Sequence, residues 1–129
     1  MIKLVYIIRR RADFTPETFR ERWLVTHGPL VKAAAAAIGA RRYFQSHTID
    51  TPLNAALAAS RGMGDAFDGI TEVWWDDMDA LTAGMSSDEG RAAAQRLLDD
   101  EREFIDFEHS RLFVTEEHVI FDYTAGGKP

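Results

Sequence analysis

The chain has 129 residues, of which 46% are apolar and 11% aromatic, enough for one domain with a real hydrophobic core and too much for a disordered tail protein. It has no cysteine, which excludes disulfides, thiolate metal centres and a cysteine nucleophile. A net charge of −6 argues against nucleic acid as the main partner.

Residues 2–9 (IKLVYIIR) are β-branched and aromatic and predict a largely buried strand. This run is too short to span a membrane. No basic n-region precedes it and no cleavage site follows, so the expected setting is cytoplasmic and away from membranes. Thr15 is a good N-cap, Pro16 suits the first helical position, and Phe19, Trp23 and Leu24 recur at helical spacing. The helix they start should run over residues 15–37 and be broken at His27-Gly28-Pro29, because Pro29 cannot donate a backbone hydrogen bond. Gly39 is placed to end it. Residues 41–49 predict a second strand, with Tyr43, Gln45 and His47 on one face and Phe44, Ser46 and Thr48 on the other. Thr51-Pro52 caps a short helix to about Ser60, and residues 61–69 read as a loop. A third strand from Ile70 to Trp75 sets Ile70, Glu72 and Trp74 against Thr71, Val73 and Trp75. A short helix from Met78 to Gly84 precedes a long one that opens on Ser86 and Glu89 and runs to about Glu108. Residues 110–120 predict the last strand. The domain should cover residues 1–121, with 122–129 as a flexible tail.

The order β-α-β-β-α-β is the ferredoxin-like arrangement, an α+β fold with an antiparallel four-stranded sheet and helices on one face. Its other face would expose about half of the apolar strand residues. Packing against a second copy covers them, so a homodimer with sheets face to face, a dimeric α/β barrel, is expected.

The runs KLVYIIRRR, TFRERWLVTHGPLV, YFQSH, FDGITEVWWDDMDAL and FVTEEHVI, in this order, resemble the EthD family, named for its genetic link to ethyl tert-butyl ether degradation. The most specific pieces are Trp23 to Leu30 (W-x-x-x-H-G-P-L) and Asp68 to Trp75 (DGITEVWW). The resemblance implies the dimeric α/β barrel. It implies less about chemistry, because that superfamily hosts isomerases, monooxygenases, decarboxylases and haem enzymes alike.

From the residues themselves, a small-molecule pocket between sheet and helices would be lined by His27 and by the polar face of the second strand. His27, His47 and Tyr43 are the candidate catalytic groups, since imidazoles and a phenol suit proton abstraction beside a carbonyl, enolate stabilisation or dehydration. Tyr6, Gln45, Glu72 and Trp74 complete the candidate substrate-binding set. His27 has a structural alternative, capping a backbone group freed by Pro29. Glu72 has one as well, an ion pair with Arg41 or Arg42 on a neighbouring strand. No helical HxxxH pair is present, so neither a metal nor another cofactor is expected. The Arg9-Arg10-Arg11 cluster reads as a solvated loop. The acidic run with Asp99, Asp100, Glu101, Glu103, Asp106 and Glu108 reads as a solvated helix face.

Two functions fit. One is a cofactor-independent enzyme using histidine acid–base chemistry on a hydrophobic aromatic, lactone or polyketide-like molecule, as a dehydratase, isomerase or oxidoreductase. The other is a non-catalytic dimer that binds a hydrophobic metabolite.

Overall fold

The computed structural model describes residues 1–124 and Gly126, so the expected tail over 122–129 lies partly outside the described residues. The chain runs β1 (Ile2–Ile8), α1 (Pro16–Glu21), a π-helical segment (Arg22–His27), α2 (Gly28–Ile38), β2 (Arg42–His47) and α3 (Pro52–Ser60). It continues through β3 (Gly69–Trp75), α4 (Met78–Ser86), α5 (Asp88–Glu101) and β4 (Arg111–Glu116). The strands form one antiparallel sheet in the order β2-β3-β1-β4, which is the expected ferredoxin-like topology. Among the described residues, no helix is long and apolar enough to cross a membrane.

Local chemistry explains most boundaries. The Thr15 hydroxyl accepts from the Thr18 amide, and Thr18 returns a bond to the Thr15 backbone, closing a capping box ahead of Pro16. Gly39 ends α2 in the left-handed conformation (φ 73°) that favours glycine. The Thr51 hydroxyl accepts from Leu53 and caps α3.

Other boundaries depart from expectation. Ser87, not Ser86, caps α5 by accepting from the Gly90 amide. The helix stops at Glu101 rather than near Glu108, because the chain must turn so that Phe104 and Ile105 enter the core. The last strand is shorter too, ending at Glu116.

Side-chain alternation places Leu4, Tyr6 and Ile8 of β1 beside Val73, Thr71 and Gly69 of β3. Tyr43, Gln45 and His47 of β2 share that face, which the helices cover. Two apolar clusters build the core there. One contains Phe19, Trp23 and Phe104, with the Phe19 ring 5.4 Å from Trp23 and 5.8 Å from Phe104. The other gathers Ile38, Val73, Trp75 and Leu81, and the Trp75 indole donates to the Ile38 carbonyl at 2.8 Å. The opposite sheet face carries Val5, Ile7, Phe44, Ile70 and Phe113, with no helix over it among the described residues; Phe44, Ile70 and Phe113 remain solvent-exposed.

Candidate active site

The helix expected to break at His27-Gly28-Pro29 does not break. Gly28 keeps right-handed helical geometry, and the irregularity falls one turn earlier as the π-helical segment. There the hydrogen bonding shifts by a residue, so the Gly28 amide donates to the Trp23 carbonyl, and Pro29 follows in the first turn of α2. The Gln45 amide donates to the same carbonyl at 3.0 Å and ties the segment to β2. His27 closes the segment, buried to 4% exposure, and points at the last turn of α5.

That turn supplies two carboxylates. His27 Nδ1 lies 2.7 Å from Asp100 Oδ2, and Arg22 grips the same carboxylate at 2.5 and 3.1 Å. Arg22, and secondarily His27, hold the Asp100 carboxyl below the usual range. An ionised Asp100 can only accept, so His27 carries its proton on Nδ1. Its Nε2 is left with a free lone pair, 4.0 Å from Glu101 Oε2. Burial lowers the His27 pKa further than Asp100 raises it, which keeps the imidazole neutral. Burial also pushes Glu101 up to about 7, against a hydrogen bond with Tyr6 that favours the carboxylate; the Asp100 charge adds to the rise. Burial raises the hydroxyls of Tyr6 and Tyr43 above the usual phenol range.

These groups face a cavity of about 260 Å³ between sheet and helices, lined by Tyr6, His27, Tyr43, Thr71 and Glu101 among largely apolar neighbours. Larger depressions elsewhere, one of them lined by Glu17, Arg20, Asp50, Asp65 and Asp68, lack a buried histidine facing a buried carboxyl.

The Glu101 shift has a measurable consequence. Its folded pKa lies above the unfolded one, so its contribution to stability is fully present below about pH 4.5 and is lost as pH rises through about 7. Glu101→Gln should therefore melt higher than wild type at pH 8, and the difference should vanish near pH 4. Thermal melts across that range check it, and a difference that does not change with pH would contradict the burial of this carboxyl.

The candidate residues separate. His27, Tyr43 and Tyr6 meet at the cavity. Gln45 stands behind them, donating to the Tyr43 hydroxyl at 2.8 Å and accepting from His47 Nε2 at 2.8 Å. His47 does not reach the cavity, because its ring stacks on the Trp23 indole at 4.4 Å. Glu72 and Trp74 lie on the opposite sheet face, so neither can share a site with His27. Glu72 is ion-paired, with Lys3 of β1 at 2.6 Å instead of Arg41 or Arg42; Lys3 and Arg42 both stand diagonally from it, but the Arg42 guanidinium lies over the Phe44 and Trp74 rings. Trp74 packs under Phe44 and Arg42. Asp100 and Glu101 were assigned to a solvated face and belong to the site. The available signal was their spacing: Ala93, Leu97, Asp100, Glu101 and Phe104 form one stripe at helical period. His109 and His118 form exposed pairs with Asp106 and Glu116. Among the described residues, no group of three His, Asp or Glu side chains could hold a metal ion.

The fold has solved counterparts. An ethyl tert-butyl ether degradation (EthD) family protein from Bacillus halodurans superimposes with a TM-score of 0.62 at 24% identity, covering 92% of this chain and 99% of that one. A dimeric protein of ferredoxin-like fold from Bacteroides fragilis gives 0.52 at 16% identity, over 90% and 95% of the two chains. SnoaB, a cofactor-independent oxygenase from Streptomyces nogalater, gives 0.52 at 14% identity, over 94% and 97%. No curated protein matches the sequence. The EthD domain itself matches residues 11–108, which include His27, Tyr43, Asp100 and Glu101, and the chain therefore belongs to the EthD family.

Proposed function

We propose that the protein is a cofactor-independent enzyme that moves protons on a hydrophobic small molecule, with His27 as general base and Glu101 as its acid partner. The supporting observation is the buried His27, fixed by Asp100 on one nitrogen and bare on the other, which faces Glu101 across the cavity. In this reading His27 Nε2 takes a proton from a carbon beside a carbonyl, and the imidazolium formed is stabilised by Asp100. Glu101, close to half protonated at neutral pH, returns a proton either to the substrate framework, giving an isomer, or to a leaving hydroxyl, giving water and an alkene. Tyr6 and Tyr43 present hydroxyls for the developing oxyanion. That a cofactor-independent oxygenase uses the same fold supports chemistry without a prosthetic group here.

The test is a thermal-shift screen of wild type and His27→Gln against small aromatic, lactone and polyketide-like compounds, followed by product analysis on the hits. Hits that wild type converts and His27→Gln returns unchanged are expected. Ligands that stabilise both proteins and emerge unaltered from both would favour a binding protein and sink the acid–base reading.

We also infer a homodimer through the uncovered sheet face, whose apolar residues need a partner and whose fold recurs in a protein described as dimeric. Sedimentation at micromolar concentration should give twice the chain mass; a monomer there would refute it.

A further inference from the structure

The cavity carries few polar groups in an apolar wall. His27, Glu101, Tyr6, Tyr43 and Thr71 bring its polar atoms, and the remaining wall is aliphatic or aromatic. No lysine or arginine lines it. Arg22, whose partner Asp100 adjoins Glu101, is committed: it bonds Asp100 through both terminal nitrogens and lies over the Phe104 ring at 5.0 Å. An entering carboxylate or phosphate would surrender its hydration beside the Glu101 carboxyl and find no cation in return. An ammonium fares little better. Its only anionic partner in the cavity would be Glu101, and the apolar remainder of the wall could not replace its hydration.

Size and access point the same way. The cavity volume of about 260 Å³ lies below the roughly 300–1,000 Å³ of clefts that take drug-sized ligands. Met85, Leu98 and Leu112 line it and are also solvent-exposed, at 48%, 38% and 53%. Met85 is on α4, Leu98 on α5 and Leu112 on β4, so the cavity opens to solvent past apolar side chains, Leu98 one turn from Glu101 and Leu112 paired with Tyr6 across the strands.

We propose that the cavity takes a neutral molecule of one or two rings bearing one hydroxyl or carbonyl, seated with that group at His27 and Glu101 and its body along the apolar wall, and that it excludes carboxylates, phosphates and amines of the same shape. This specificity rests on the cavity being the small-molecule site described above. It narrows the substrate from any hydrophobic metabolite to a compact, uncharged one, and it sets aside fused systems of three or more rings.

The experiment is titration calorimetry at pH 7 with one ring system and three head groups: 2-naphthol, 2-naphthoate and 2-(aminomethyl)naphthalene. 2-Anthrol serves as the size probe, and wild type is compared with Leu112→Trp, which narrows the opening beside Tyr6 and leaves His27 and Glu101 unaltered. Naphthol should bind at least about tenfold tighter than each of the other three, and Leu112→Trp should weaken it by about tenfold or more with an unchanged melting temperature. Naphthoate or the amine binding as tightly as naphthol would overturn the charge rule, and anthrol doing so the size limit; either leaves the site itself standing. Naphthol affinity unchanged in Leu112→Trp would overturn the placement of the opening. Binding of none of the probes would overturn both this proposal and the small-molecule site beneath it.

Discussion

With asparagine at position 100, the protein should fold and still lose about 10²–10⁴-fold in turnover, the span usually contributed by a positioned acid–base group. Arg22 has only donors, and its 2.5 Å bond to Asp100 Oδ1 will claim the one oxygen that asparagine keeps. The amide nitrogen then occupies the Oδ2 position, facing His27 Nδ1 at 2.7 Å. A donor there drives the imidazole proton to Nε2, the atom that must be bare to act as a base. Shape and volume are nearly conserved, and Arg22 keeps one partner, so the loss should fall on the chemistry and spare the fold. Heteronuclear NMR of the ring nitrogens reads the tautomer without any substrate. If His27 still carries its proton on Nδ1 in Asp100→Asn, the role given to Asp100 is wrong.

Gly84→Ala should be severely destabilising for a single added methyl, costing about 3 kcal/mol or more and lowering the melting temperature by roughly 10 °C. A β-carbon at Gly84 would run into the Ile38 carbonyl, with that group's carbon at 2.5 Å and the Ile38 Cα at 3.2 Å. The carbonyl cannot swing aside, because it accepts from the buried Trp75 indole at 2.8 Å. Relief therefore means lifting α4 off the end of α2 or surrendering the Trp75 hydrogen bond. Gly64→Ala is the control, since nothing lies within 4 Å of its added carbon. Equal melting temperatures for the two variants would show that the contact between α4 and α2 is looser than it looks.

The parts of this fold that were legible in the sequence are those decided by neighbours along the chain. Period-two alternation put Tyr43, Gln45 and His47 on one face and separated Trp74 from Trp75, and each N-cap at Thr15 and Thr51 is a bond spanning two or three residues. Decisions made by distant partners were not legible. Alternation sends His47 to the correct face, yet Trp23, from another element, takes the space it would need to enter the cavity. Glu72 is paired as expected, but Lys3 takes it rather than Arg42, which register places equally near and the Phe44 and Trp74 rings hold instead. Asp100 and Glu101 sit in a run so acidic that solvation was the economical reading. Their stripe with Ala93, Leu97 and Phe104 marks a buried face, but what covers it, α2 and the π-helical segment packing along α5, is set by distant elements. The Pro29 break failed for a different reason: proline removes a donor, but a helix can absorb that by rephasing its hydrogen bonds as well as by bending.

That rephasing bears on geometry well beyond one bond. Phe19, Trp23, His27 and Val31 are all buried and follow one another at intervals of four. On a uniform α-helix each step of four overshoots a full turn by about 40°, so three steps would carry Val31 about 120° around the axis from Phe19. A π-helical turn holds more residues, so a step of four there falls short of a full turn and unwinds part of the accumulated angle. The segment from Arg22 to His27 thus works as a vernier, straightening a row that would otherwise spiral out to solvent. Beyond it the intervals return to the mixed threes and fours of an ordinary helix, at Val31, Ala34 and Ile38. The angular correction is spent where His27 has to be aimed.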